Sequence, residues 1–258
     1  MARIYRRIDE NVIFTSIEAA EMVKYADNVW HATKVAFGNE IGRLCKQLGI
    51  DSHDVMNIFV KDTKLNLSPY YLRPGFAFGG SCLPKEVRAV SHIAHAHGVS
   101  VPLIDSLMVS NDAHVAQAVD LLAPFAGRRI GFLGVTFKPD TDDLRESPTL
   151  ELMARLLEKG ETLKAYDGNL EFGPLLRGQI DYVRHACPAQ AKLMDELEAI
   201  TLESADALVG WADVVVVSHA TPAFRKAIAE RAPHVHVLDL ARLFKDLPDD
   251  ATYEGIAW

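Results

Sequence analysis

Arg129-Ile130-Gly131-Phe132-Leu133-Gly134-Val135 follows Gly127 and contains no charge after its first residue. It reads as a strand buried on both faces, and it marks the point where the chain changes character. Downstream, Ser147 caps a helix predicted over Pro148 to Lys159, and Thr162 to Ala165 is the next strand, ending at Tyr166-Asp167-Gly168. Val214-Val215-Val216-Val217 and Val235-His236-Val237-Leu238 repeat the buried-strand pattern, with helical stretches between. Strands alternating with helices predict a doubly wound, Rossmann-like parallel sheet over residues 127–258.

Upstream the pattern is entirely helical. One long helix is expected from Ser16, its N-cap, to Leu48, stopped by Gly49. A second opens at Asp51 or Ser52, a third runs from Pro84 to His97, and a fourth from Pro102 to Ala126. Residues 62–81 form a loop rich in Pro, Gly and aromatic residues. The expected organisation is an all-helical domain at 1–126 followed by the α/β domain at 127–258. The apolar faces of the long helices need a partner, and a homodimer built on them would supply it.

The chain has 258 residues, 49% hydrophobic and 24% charged, as expected of a soluble globular protein. No apolar run approaches a membrane span, and no secretory signal is visible. Net charge is −8, which argues against a general nucleic-acid surface. Cys45, Cys82 and Cys187 are odd in number and widely spaced, so a disulfide framework is not expected and a reducing cytoplasm is the natural setting. His92, His95 and His97 do not share one helical face, and no metal site is expected there.

Within the loop, Gly79-Gly80-Ser81-Cys82-Leu83-Pro84-Lys85 carries the chemistry. Proline favours the first turn of a helix, so Cys82 is expected at or beside a helix N-terminus. The helix dipole and Lys85 both favour a thiolate, and Gly79 and Gly80 are expected to leave room for a substrate to approach the sulfur. A small buried cysteine in a Gly-rich turn is the alternative. On the first helix, Lys24, Asn28, His31 and Asn39 fall within roughly 80° of one another and extend over about 22 Å. Spacing alone fits either a solvated face or the lining of a pocket.

Three stretches resemble the nucleotide-sugar 6-dehydrogenases: Glu21 to His31, Tyr70 to Lys85 and Phe137 to Pro148. The resemblance runs from about Ile17 to Trp258 and leans toward the branch acting on GDP-mannose. Tyr-Tyr-Leu-Arg-Pro-Gly-Phe, Asn-Val-Trp-His and the closing Glu-Gly-Ile-Ala-Trp carry that preference, with UDP-glucose the competing substrate. The resemblance implies a cytoplasmic, NAD-dependent oxidoreductase of polysaccharide biosynthesis, and a homodimer. Such an enzyme oxidises a primary alcohol to an acid through a thioester on cysteine. It implies catalytic roles for Cys82, Lys24 and Asn28, and substrate contacts from Lys24, Asn28, His31, Asn39, Tyr70, Tyr71, Arg73, Phe76, Gly79 and Lys138. Lys85 and Arg145 would reach the cofactor. Asp142, Asp143 and Glu146 are expected to be structural partners of Arg145, and Asp167 a turn residue or a relic of the acid that grips a ribose in dinucleotide folds. Family members have Asp where Glu86 stands, so no base role is assigned to Glu86. The family's Gly-x-Gly-x-x-Gly fingerprint lies in an additional N-terminal domain that this sequence is expected to lack, which would leave the chain inactive alone. A noncatalytic module for sugar-nucleotide binding and dimerisation is the reading from a different class.

Overall fold

The structure is a computed structural model and describes residues 15–47, 49–63, 74–96, 102–246 and 248–258. Tyr70, Tyr71, Arg73 and His97 lie outside the described residues.

Helix α1 spans Ile17–Gln47. Ser16 caps it, its Oγ accepting from the Ala19 amide at 3.2 Å. Beyond its end Gly49 takes a left-handed φ of 68° and Ile50 N–H donates to Cys45 O, a turn suited to glycine. α2 is Ser52–Phe59, capped by Asp51, and α3 is Leu83–Ala96. α4, Pro102–Leu122, ends sooner than its sequence pattern predicts, because Pro124 cannot continue an α-helix and the chain tightens into a 3₁₀ turn at Ala123–Phe125.

β1 (Arg129–Leu133) stops short of Val135, because Gly134 leaves the extended region with φ 91°. α5 (Pro148–Glu158) starts at the Ser147 cap, and β2 spans Thr162–Tyr166. There follow α6 (Pro174–Ala186), α7 (Ala191–Ile200), α8 (Ala205–Trp211), β3 (Val214–Val217), α9 (Pro222–Ala229), β4 (His236–Asp239) and β5 (Tyr253–Gly255). The five strands form one parallel sheet in the order β2-β1-β3-β4-β5. The edge strand β5 has only three residues and no buried run to announce it.

The sheet's inner strands alternate faces with period two. Val214 and Val216 join a core with α5, α6 and α7, while Val215 and Val217 join another with α8 and α9. The first core does not end at residue 127, since Val115, Ala118, Val119 and Leu122 of α4 belong to it. A smaller core of Val29, Ala32, Ala36, Phe78, Val87 and Leu107 joins α1, α3 and α4.

The C-terminal residues are stitched to the helices. Ser52 Oγ donates to Ala257 O, Gln117 Nε2 to Ile256 O and Lys46 Nζ to Gly255 O. Arg242, with φ 55°, forks onto Asp51 at 2.8 and 3.2 Å and lies over the Trp258 ring. Burial alone would raise the Asp51 carboxyl, but hydrogen bonds from Arg242 and the His53 amide outweigh it and hold it below the usual carboxylate range.

A depressed folded-state pKa stabilises the fold above the unfolded value, and that stability is lost as pH falls through the folded one. Asp51→Asn should therefore cost about 1–3 kcal/mol near pH 7. The difference from the parent should shrink as pH falls below about 4. Denaturant melts at several pH values check this.

Candidate active site

Cys82 is exposed and sits immediately before α3, its carbonyl accepting the Glu86 N–H at 2.9 Å. Ser81 Oγ lies 3.9 Å from its sulfur. Helix α3 thus points its N-terminal end at the thiol. The two preceding glycines do something other than clear a path for substrate. A Cβ on Gly79 would fall 2.2 Å from Glu146 O and 2.6 Å from Pro148 Cδ. On Gly80, at φ 81°, it would meet the Phe137 ring at 2.7 Å. Both positions are glycine because the loop lies directly on the segment that joins β1 to α5.

The fold carries Lys24 from α1 to this helix start. Its Nζ donates to Glu86 at 2.5 Å, and Lys85 stands 3.3 Å from the same oxygen. The Glu86 side chain is 1% exposed, and its other oxygen, Oε2, is buried without a hydrogen-bond partner. Burial pushes that carboxyl up, but the two lysines more than offset it and the net shift is down. Lys24 is pushed up, chiefly by its hydrogen bond to Glu86 and, against some desolvation, by the charges of Glu86, Tyr25 and Cys82. Lys24 is thereby held beside the first turn of the helix that follows Cys82. Glu86, given no role from sequence, is the group that seats Lys24. Its position four residues after Cys82, in the first turn of α3, was the available signal.

Asn28 and His31 continue the face of Lys24 along α1 and are half-buried. Asn39 departs from that stripe. It is buried, and its carboxamide accepts from Gly75 N and donates to Phe76 O, so it braces the loop. Phe76 tilts against His114, whose Nε2 lies 2.6 Å from Gly75 O.

Residues 74–77 of the loop also wall a cavity of about 730 Å³. Its floor is the carboxyl ends of the strands: Thr136 and Phe137 after β1, His219 after β3 and Arg242 after β4. β1 and β3 are the pair at which the strand order reverses, where open α/β sheets bind ligands. Arg225, Arg242 and Lys245 make this crevice basic. The strand positions were legible in the sequence, but those three cations carried no motif. Lys138 is exposed beside the crevice, its ammonium 5.2 Å from the Phe137 ring centroid.

Arg145 is chelated by Asp143 at 2.8 and 2.9 Å. Its basicity is raised first by that pair and in part by Cys82. Of the three acids expected around Arg145, Asp143 takes the role, whereas Glu146 pairs with Arg88 of α3. Among the described residues, no group of three or more His, Cys, Asp or Glu side chains could hold a metal ion. His95 is engaged with Asp105.

Residues 18–113 match the central domain of the UDP-glucose/GDP-mannose dehydrogenase family, and residues 131–246 match that family's UDP binding domain. The chain belongs to this family. It is 42% identical to the GDP-mannose 6-dehydrogenase of Azotobacter vinelandii over all of its own length and 57% of that relative's. A ternary complex of GDP-mannose dehydrogenase from Pseudomonas aeruginosa is 39% identical, with a TM-score of 0.64 over 99% of this chain and 57% of that one. The UDP-glucose dehydrogenase of Pyrobaculum islandicum is 29% identical, with a TM-score of 0.79 over 100% of this chain and 56% of the other. The chain thus spans a little over half the length of the relatives it matches.

NAD, implied by the family resemblance, does not fit the turn after β1. A Cβ at Gly134 would lie 2.6 Å from His219, so the backbone there is already covered. The Val135 and Thr136 amides, which could have met a pyrophosphate, donate to the buried Asp167 carboxylate at 2.9 and 3.2 Å. Asp167 therefore does more than shape its own turn: it fills the anion nest of this sheet.

Cys82 should alkylate at least about tenfold faster than the other two thiols. Cys45 is buried, and burial, with the nearby Glu146 and Glu151, pushes the Cys187 thiol up. Peptide mapping after brief iodoacetamide treatment reads the order, and faster labelling of Cys45 or Cys187 overturns it.

Proposed function

We propose that this chain is the substrate-binding, cysteine-bearing portion of an NAD-dependent nucleotide-sugar 6-dehydrogenase that converts GDP-mannose to GDP-mannuronate in the cytoplasm. The observation that carries the reading is the placement of an exposed thiol at a helix start with Lys24 seated beside it by a buried carboxylate. In this reading residues 1–126 act as the central helical domain and residues 127–258 as the nucleotide-binding domain.

The basic crevice at the strand ends suits a nucleoside diphosphate, since arginine donates in pairs to phosphate oxygens. Phe76 and Lys138 at its edge, with His31 and Asn28 on α1, would carry the sugar toward Cys82. Tyr70, Tyr71 and Arg73 would complete the cover. A first two-electron oxidation turns the primary alcohol into an aldehyde; the Cys82 thiolate then adds to the aldehyde carbon, and the charge that forms on oxygen is met by Lys24 and Asn28. After oxidation of that adduct, water attacks the thioester carbonyl and the thiolate departs, restoring Cys82. NAD is the oxidant of the overall reaction. The described residues form no seat for its pyrophosphate, and Lys85 and Arg145 would contact it in the complete enzyme.

The preference for GDP-mannose rests on the identity to the Azotobacter relative, with UDP-glucose as the second reading. Calorimetric titration should show GDP-mannose binding best, UDP-glucose more weakly and NAD without detectable heat. A preference for UDP-glucose moves the substrate assignment, and tight NAD binding overturns the reading of the α/β domain.

The homodimer is part of the same proposal. Met22, Val23, Trp30 and Phe37 of α1 leave apolar surface exposed, as do Leu103 and Val109 of α4. A second copy, bringing the same helices, would cover them. Light scattering at micromolar concentration should give twice the chain mass, and a monomer overturns this part.

A further inference from the structure

Glu146 stands where the helical and sheet-forming parts of the chain meet, and it is one of three described non-glycine residues with a positive φ, at 50°. Few side chains hold that backbone shape without tertiary support. Its supports are on both sides. Behind it, Ser147 donates to Val135 O and caps α5, and the amide of Leu144, a fully buried residue, donates to Gln179 Oε1. In front of it, its carbonyl accepts the Gly80 amide at 3.2 Å and fills the space that a Gly79 side chain would need. Its carboxylate forks onto Arg88 of α3, one oxygen to each terminal nitrogen. The two contacts bracket Cys82, one falling two residues before it and the other six residues after it. An exposed ion pair stabilises little by itself. This one is different in kind, because the same residue also fixes the loop through its backbone, and its chain neighbour is Arg145.

We propose that Glu146 is a positioning residue for Cys82: it braces α3 and the Gly79-Gly80 turn against the β1–α5 segment and so fixes the sulfur at the head of α3, beside the Glu86–Lys24 pair. The idea deepens the reading of Cys82 as the reactive thiol and takes nothing else from it.

The test needs neither cofactor nor substrate. Iodoacetamide rates are followed at Cys82, Cys45 and Cys187 in the full chain at pH 7. Glu146→Gln should slow Cys82 by about 3–10 fold while leaving Cys45 unchanged, as expected when the sulfur is no longer held at a helix N-terminus beside a lysine. Arg88→Gln breaks the same brace from its exposed end and should give the same result, which keeps the test open if the first variant folds poorly. In an Arg88→Gln background Glu146→Gln should have little further effect, since the two act through one ion pair. An unchanged or faster Cys82, a parallel change at Cys45, or a full-sized additional effect in the Arg88→Gln background overturns the proposal. Sugar-nucleotide titration of the same variants keeps the two ideas apart. If the parent fails to bind GDP-mannose, the functional reading falls, whereas the labelling result stands or falls alone.

Discussion

Nothing larger than hydrogen can stand on the Gly79-Gly80 backbone where it crosses the segment between β1 and α5. The two surfaces meet through carbonyl, amide and ring, with the Glu146 carbonyl on one glycine and Phe137 against the other. This close approach sets where α3 begins, and α3 determines where Cys82 lies. It also connects the thiol's loop to the strand ends, because Phe137 and residues 74–77 belong to the basic crevice as well. Site and crevice are two ends of one short segment pressed onto the sheet.

Around that contact the charges are arranged with little redundancy. Glu86 is buried beneath two lysines, and a buried carboxylate persists as an anion only when it is so paired. Its effect is to hold Lys24, from a helix far away in sequence, beside the start of α3. Asp167 does the equivalent work in the sheet, satisfying the amides of the β1 turn and closing to a pyrophosphate the very nest that a dinucleotide fold would leave open. The strand ends instead open onto the crevice lined by Thr136 and His219.

The C-terminal residues tie the sheet to the helices as well. Arg242 ties the loop after β4 to Asp51 at the head of α2, and the final residues are fastened to α1, α2 and α4. Since α4 also contributes to the sheet's main core, the helical part is joined to the sheet by apolar packing in the middle and by hydrogen bonds at the rim.

How much of this was legible beforehand follows from the range of the forces involved. Four of the five strands, every helix of the first part and the caps at Ser16, Asp51 and Ser147 come from periodicity and from residues that act on their immediate neighbours. Cys82 at a helix start is of that kind too, because Pro84 and the glycines are local signals. The glycines themselves were legible only as a need for space, and tertiary structure decided that the space is filled by Glu146 and Phe137. Asn39 shares its helical face with Lys24, Asn28 and His31 by angle, yet packing against the loop turned its carboxamide inward. The partners of Lys24 and Asp51, and the gathering of Arg225, Arg242 and Lys245 around one crevice, involve residues brought together from distant parts of the chain. Sequence determined which elements form and which residues could do chemistry. Which of them face one another was decided by the fold, because burial and charge pairing act through space and leave no periodic trace along the chain.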